Sequence, residues 1–261
     1  MKYGFIGCGN MGGAIARALS KTTNDIMITD RSGKARALAD TLDVIYADAV
    51  TVASSCERIF LAVKPQMMAD VLKPLRKFFR ENKPLLITMA AGLEIAKIQE
   101  LAGCELPVIR IMPNTPVQVG KGMTLYCAND LVDESVLEDF LDDMAFTGHM
   151  DAIAEHLIDA AGVVSGCGPA YMYMFAEALA DGAVACGVPR TKALEYAAAT
   201  LAGAGEMLLQ TSEHPGKLKD NVCSPGGSTI AGIRILEERA FRGAVIDCVN
   251  AAYLRNQELG K

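Results

Sequence analysis

The sequence predicts an α/β fold: a mostly parallel sheet wrapped by helices over residues 1–152, then an all-α half over residues 153–261. Three observations predict it. Between residues 3 and 112, short runs of Ile, Val, Leu and Phe alternate with helix-period stretches. Beyond residue 168 helical periodicity dominates and β-rich runs are scarce. The chain has 261 residues and is 51% hydrophobic, enough for two modest domains with buried cores.

In order, residues 3–7 read as a strand, and residues 11–21 as a helix with Ile15, Ala18 and Leu19 on one face. Residues 26–29 are the next strand, followed by a helical stretch over 33–42. Residues 58–63 form an apolar strand carrying Ile59, Phe60 and Leu61, and Pro65 stops it. Residues 67–80 are amphipathic, 85–89 a strand, 93–102 a helix, and 108–112 close the series. Right-handed crossovers between such strands bring the loops that follow them to one edge of the sheet. A strand-like stretch at 147–151 ends the first half.

In the second half, residues 169–186, 189–209 and 230–260 carry helical periodicity, with Gly187 and Gly216 as breaks. Gly203-Ala204-Gly205 lies inside a helical stretch, where each glycine costs about 1 kcal/mol relative to alanine. Such small residues admit another helix, from this chain or across a dimer interface. The run Tyr171-Met172-Tyr173-Met174-Phe175 is apolar all round, which fits a buried helix or an interface.

Composition excludes several functions. A net charge of −6 without a basic patch argues against nucleic-acid binding. The 8 cysteines include no C-x-x-C pair, and His149, His156 and His214 do not join them at ligand spacing, so no metal site is expected. Glycines, Asn10 and Arg17 interrupt the apolar N-terminus, unlike a signal peptide, and no long uninterrupted apolar run follows. A soluble cytoplasmic protein with no membrane partner is the expectation.

Gly7-Cys8-Gly9-Asn10-Met11-Gly12 fits G-x-G-x-x-G between a strand and a helix. The first glycine allows the tight turn, the second lets backbone reach a pyrophosphate, and the third allows close helix-to-strand packing. The phosphates then meet the N–H groups and positive dipole end of the helix. This makes the first half a Rossmann-like dinucleotide-binding domain, with Gly7, Gly9, Asn10, Met11 and Gly12 in the cradle. After the second strand comes Thr29-Asp30-Arg31-Ser32. Asp30 suits the ribose hydroxyls of NAD, whereas Arg31 and Ser32 suit the 2′-phosphate of NADP. The two signals conflict.

Further segments end later strands: Ala62-Val63-Lys64-Pro65-Gln66, Met89-Ala90-Ala91-Gly92 and Arg110-Ile111-Met112-Pro113-Asn114-Thr115-Pro116. The second half carries Ser165-Gly166-Cys167-Gly168-Pro169-Ala170-Tyr171 and residues 218–229, LKDNVCSPGGST. Together these resemble the Δ1-pyrroline-5-carboxylate reductase family, over residues 3 to about 260. The resemblance implies hydride transfer from NAD(P)H to the C=N bond of a cyclic imine carboxylate, giving proline, the last step of its synthesis. It implies a dinucleotide-binding domain over 1–152 and a helical substrate-binding and dimerisation domain over 153–261. It also implies a homodimer, with a ring of dimers as the larger assembly.

By the same resemblance, Ala62, Val63, Lys64, Pro65, Ala90 and Asn221 join the cofactor site, with Lys64 either on cofactor phosphate or ribose or simply capping its strand end in solvent, and Ser224, Gly226, Gly227, Ser228 and Thr229 hold the substrate. The expected cofactor is NADP, with NAD as the alternative, because Asp30 stands where many relatives have asparagine. Cys167 and Ser228 also depart from the usual serine and threonine, small for small.

The residue chemistry is compatible. Gly226, Gly227 and Ser228 precede a helix, whose amides and dipole would take a carboxylate without any arginine. The bland alternative there is a helix cap by Ser224 or Ser228. Thr229 is the candidate catalytic residue, a hydroxyl that orients the ring nitrogen or relays a proton from water rather than donating its own. Two other functions compete. A β-hydroxyacid dehydrogenase needs a lysine in the first long helix of its second domain, and residues 168–187 contain none. A non-catalytic dinucleotide sensor would have no use for the Pro-Gly-Gly-Ser-Thr loop.

Overall fold

Strands buried on both faces need apolar side chains in unbroken runs, and that is what the first half supplies. The computed structural model describes residues 2–31 and 33–259. It contains β1 (Tyr3–Ile6), α1 (Asn10–Leu19), β2 (Ile26–Thr29), α2 (Lys34–Leu42), β3 (Ile45–Tyr46) and α3 (Ala49–Ser55). These lead to β4 (Arg58–Leu61), α4 (Met68–Leu72), α5 (Arg76–Asn82), β5 (Leu85–Thr88), α6 (Ile95–Ala102) and β6 (Val108–Met112). There follow β7 (Gly122–Ala128), α7 (Glu134–Asp143), β8 (Gly148–Ala152) and α8 (Glu155–Gly162).

The strands form one sheet of order β3-β2-β1-β4-β5-β6-β7-β8. The first six are parallel, β7 runs antiparallel to β6, and β8 is parallel to β7. The order 3-2-1-4-5-6 is that of a Rossmann dinucleotide-binding sheet. Side chains alternate between two cores. Phe5, Ile26, Ile28, Phe60, Ile87 and Ile109 pack on one face, and Ile6, Met27, Ile59, Leu61, Leu86 and Val108 on the other. Each fully buried side chain of this kind contributes about 1.5–3 kcal/mol. Phe5 stacks on Phe60 with centroids 4.4 Å apart.

At the start of β1 and β4, polar groups hold α7 in place. The Tyr3 hydroxyl donates to Asp143 Oδ2 at 2.6 Å and accepts from Arg58 Nη1 at 2.9 Å. Arg58 Nη2 reaches Asp139 at 3.2 Å, and Lys2 Nζ reaches Asp143 at 2.6 Å. Burial, then the bond to Asp143, pushes the Tyr3 hydroxyl above its usual range, so it remains a donor.

The second unit is made by Gly168–Ala252, while residues up to Cys167 and from Tyr253 form the first. A π-helical turn, Val163–Cys167, ends the first unit's main run. Then come α9 (Gly168–Ala185), α10 (Arg190–Thr211), α11 (Pro215–Asn221), α12 (Ser228–Glu238) and α13 (Phe241–Leu259). The buried contact between α9 and α10 is small: Ala180, Ala193 and Ala197, with Ala176, Ala183, Val184 and Val188 around them.

Several elements differ from the sequence expectation. β3 and α3 are too short for a periodic signal, and β7 has only partial burial to mark it. The stretch 67–80 divides because Pro74 cannot donate a helical hydrogen bond, giving the 3-10 turn Lys73–Leu75 between α4 and α5. The stretch 230–260 divides at Ala240, whose φ of 55° is left-handed and ends the helix run. Around Gly203 and Gly205 no heavy atom of the described residues lies within 4 Å of an added Cβ, so no described helix packs closely there. That corrects the intrachain reading of the Gly-Ala-Gly step.

Candidate active site

In a sheet of this order the chain leaves β1 toward β2 on one side and later returns to β4 on the other. The crevice beyond the ends of β1 and β4 is where such folds bind ligands. Gly7, just after β1, has φ 101°, and a Cβ there would sit 2.6 Å from the Ala62 carbonyl oxygen. A Cβ on Gly12 would lie 2.4 Å from Gly7 O and 2.8 Å from Ala62 Cβ. These two glycines are therefore required by the fold, because α1 descends directly against the loop after β4.

Gly9 is different. Its φ is −67°, open to any residue, and an added Cβ would meet nothing within 4 Å. It is the N-cap of α1, and among the described residues no side chain caps that helix. The first-turn amides of Asn10, Met11 and Gly12 thus carry the helix dipole with no side-chain partner, which fits an anion. Cys8, within this loop, is buried. Burial, reinforced by Asp30, pushes its thiol up to about 12, so it stays neutral.

Beyond β2, Asp30 Oδ2 accepts from the Ala35 amide in the first turn of α2 at 3.2 Å. The carboxylate is thereby engaged with its own helix. Arg31 is exposed, and Ser32 lies outside the described residues. After β4 the chain passes Ala62 and Val63 to exposed Lys64, and Pro65 opens the 3-10 turn Pro65–Met67. After β5, buried Ala90 donates its amide to Thr88 Oγ1 at 3.4 Å. The sheet topology puts all these loops on one edge.

In the second unit, exposed Asn221 ends α11 and a turn follows. Gly226 has φ 70°, and the Gly227 amide donates to the Ser224 carbonyl at 3.0 Å. Gly227 is the extended N-cap of α12, with no side-chain cap among the described residues. The capping role for Ser224 or Ser228 is therefore absent. Ser228 and Thr229 occupy the exposed first turn. A depression of about 510 Å³ runs from Gly226 and Gly227 along Ile230, Ala231, Ile233 and Arg234 to Glu237. Thr229 is not in that lining, whereas Arg234 is. Sequence reasoning passed over Arg234, although its position nearly two turns past Gly227 on α12 was a signal.

Other residues escaped it too. His214 is the N-cap of α11, its Nδ1 accepting from Gly216 N at 3.1 Å. A cleft of about 720 Å³ in the first unit, bounded by Ile95, Gln99, Cys127, Leu137 and Glu155, shares no residue with either glycine loop.

Two family models match the chain. "NADP oxidoreductase coenzyme F420-dependent" covers residues 2–92, and "Pyrroline-5-carboxylate reductase dimerisation" covers residues 155–259. The pyrroline-5-carboxylate reductase of Escherichia coli is 40% identical, the match spanning 100% of this chain and 98% of that protein. The chain belongs to the pyrroline-5-carboxylate reductase family. The enzyme of that name from Synechocystis is 41% identical, over 100% of this chain and 99% of the other. Among solved structures, the Plasmodium falciparum pyrroline carboxylate reductase with NADP bound aligns with a TM-score of 0.90 at 33% identity. That alignment covers 100% of this chain and 98% of that one.

Membership gives the second unit its context, since the dimerisation model covers α8 to α13. There Tyr173, Met174, Leu209 and Ile246 are 60–77% exposed, more apolar surface than a monomer normally shows. Among the described residues no helix is long and apolar enough to cross a membrane.

Proposed function

We propose that this chain reduces Δ1-pyrroline-5-carboxylate to L-proline with hydride from NADPH, the last step of proline biosynthesis. The observation that carries the proposal is a matched pair of helix entries. α1 and α12 each begin at an extended glycine, Gly9 and Gly227, without a side-chain cap, in a chain of this reductase family. One suits a pyrophosphate and the other a carboxylate.

Reduced nicotinamide supplies the hydride when bound. The protein's own part is to bind and orient. Gly7, Gly9, Asn10, Met11 and Gly12 cradle the pyrophosphate, and Ala62, Val63, Lys64, Pro65, Ala90 and Asn221 line the remainder of the cofactor. Arg31 and Ser32 hold the 2′-phosphate. The turn of Asp30 toward Ala35 favours NADPH over NADH, because it directs the carboxylate to α2. Ser224, Gly226, Gly227 and Ser228 bind the substrate carboxylate, and Thr229 orients the ring nitrogen, which arrives protonated. Residues 1–152 serve as the dinucleotide domain and 153–261 as the substrate and dimerisation domain. The exposed apolar helix faces pair with a second copy, and dimers assemble further into a ring. The cysteines are all free, which suits a reducing cytoplasm.

The test of the reaction is NADPH oxidation with pyrroline-5-carboxylate, beside a 3-hydroxy acid with NADP⁺ and a 2-oxo acid with NADPH. Turnover of an acid and not of the imine would reject the assignment. Thr229→Ala is expected to lower kcat by about tenfold to a hundredfold while NADPH affinity holds. Equal losses in both would remove Thr229 from its role. Arg31→Ala is expected to raise KM for NADPH by about tenfold or more, the worth of a charge-assisted hydrogen bond, with KM for NADH little changed. Steady-state kinetics with each cofactor would show whether the two move together, which would exclude a phosphate contact.

A further inference from the structure

We propose that Asn114 is a positioning residue for this reduction: it locks the π-helical turn Val163–Cys167 to the strand-end edge of the sheet. The inference rests on the reductase reading above. Asn114 follows β6 and is only 7% exposed. Both ends of its side-chain amide are used. Nδ2 donates to the Ser165 carbonyl at 2.9 Å, and Oδ1 accepts from the Met123 amide at the start of β7, also at 2.9 Å. Leaving either end unpaired in a buried place would cost about 1–3 kcal/mol.

The turn is also fitted closely from its other side. Gly162, the last residue of α8, stands where an added Cβ would lie 2.9 Å from Met112 Cγ. A π-helical turn offsets the regular hydrogen-bond ladder, so its carbonyls need partners from elsewhere, and such turns recur at functional sites. Asn114 is the partner of Ser165.

The place in the sheet gives the bond its meaning. With the adenosine ribose beside the end of β2 and the pyrophosphate at α1, the other mononucleotide half lies over the ends of β4, β5 and β6. Asn114 is therefore on the nicotinamide side, where hydride leaves. The segment it fixes is the one through which the chain passes from Cys167 into α9. A misplacement of about 1 Å at such a point can cost roughly a hundredfold in rate without touching the chemistry.

Asn114→Asp separates the two halves of the lock. A carboxylate still accepts from Met123, but it faces the Ser165 carbonyl with an oxygen in place of the donor. Gly162→Ala presses on the same turn, its Cβ 2.9 Å from Met112 Cγ, with the Asn114 amide intact, and alanine is the better helix former, so the fold is kept. The measurements are kcat, NADPH affinity by fluorescence titration, and thermal melting. For Asn114→Asp the expected result is kcat lower by about tenfold or more, with NADPH affinity within about twofold of wild type. For Gly162→Ala the same split is expected at about threefold. A purely structural role would lower the melting temperature and leave kcat per folded enzyme unchanged. Wild-type kcat in Gly162→Ala and in any folded Asn114→Asp protein overturns the proposal, as does a loss of NADPH affinity equal to the loss in kcat. A wild-type enzyme that leaves pyrroline-5-carboxylate unreduced defeats the reductase reading, and the role of Asn114 with it.

Discussion

Gly9→Val is expected to weaken NADPH binding by about a hundredfold or more, while the protein melts within about 3 °C of wild type. The two effects separate because the protein itself makes no demand for glycine there. Its φ is ordinary and a side chain would enter open space. The only stability cost is the poorer N-cap that valine makes, up to about 1 kcal/mol. The cost to binding is larger. A phosphate must come within about 3 Å of the main-chain amides, and the valine branches occupy that approach. Two charge-assisted hydrogen bonds are then lost, at about 1.5–3 kcal/mol each. Gly12→Ala is the control with the opposite signature, since its Cβ meets backbone at 2.4 Å and the loop must shift. Fluorescence titration and a thermal melt on each variant are sufficient. Unchanged affinity in Gly9→Val would remove the cofactor from this loop.

The contrast among these glycines also explains what sequence could and could not reveal. The motif was legible because three glycines stood between a strand and a helix, and the α/β class because strands such as Ile59-Phe60-Leu61 are apolar without a break. The division of labour among the glycines was not legible. It depends on Ala62, fifty residues away, lying against Gly7 and Gly12 but not Gly9. Asp30 and Arg31 gave conflicting signals because only the fold shows the carboxylate turned to the Ala35 amide. Ala240 carries no local mark of its left-handed backbone, so α12 and α13 read as one helix. Asn114 belonged to a recognised segment, yet its partners Met123 and Ser165 meet it only once β7 and α8 are in place.

Arg110 is a case in which sequence held a usable signal: a cation inside the apolar run Val-Ile-Arg-Ile-Met must find an anion. In the fold it is 1% exposed, with Nη2 on Asp159 Oδ1 at 2.7 Å and Nη1 3.5 Å from Glu155 Oε1. Glu155 and Asp159 are four apart on α8, so one helix face supplies both, and Glu155 also accepts the Ile95 amide at 2.7 Å. The two sides of this pair should respond unequally to mutation. Asp159→Leu removes the closer partner and leaves a guanidinium that water cannot reach with Glu155 Oε1 alone, at 3.5 Å, at a cost of about 3 kcal/mol, or roughly 10 °C in melting temperature. Arg110→Met leaves carboxylates that are each about one third exposed and can rehydrate, so about 1–3 kcal/mol is expected. Combining the two changes should recover part of the Asp159→Leu loss, because no buried charge is left unpaired by them. Denaturant unfolding of the three variants tests the ordering, and a larger loss from Arg110→Met than from Asp159→Leu would contradict it. The same experiment bears on the turn at Ser165. α8 is the element that carries the chain from the sheet to that turn, so loosening its anchor at Arg110 should also loosen what Asn114 holds.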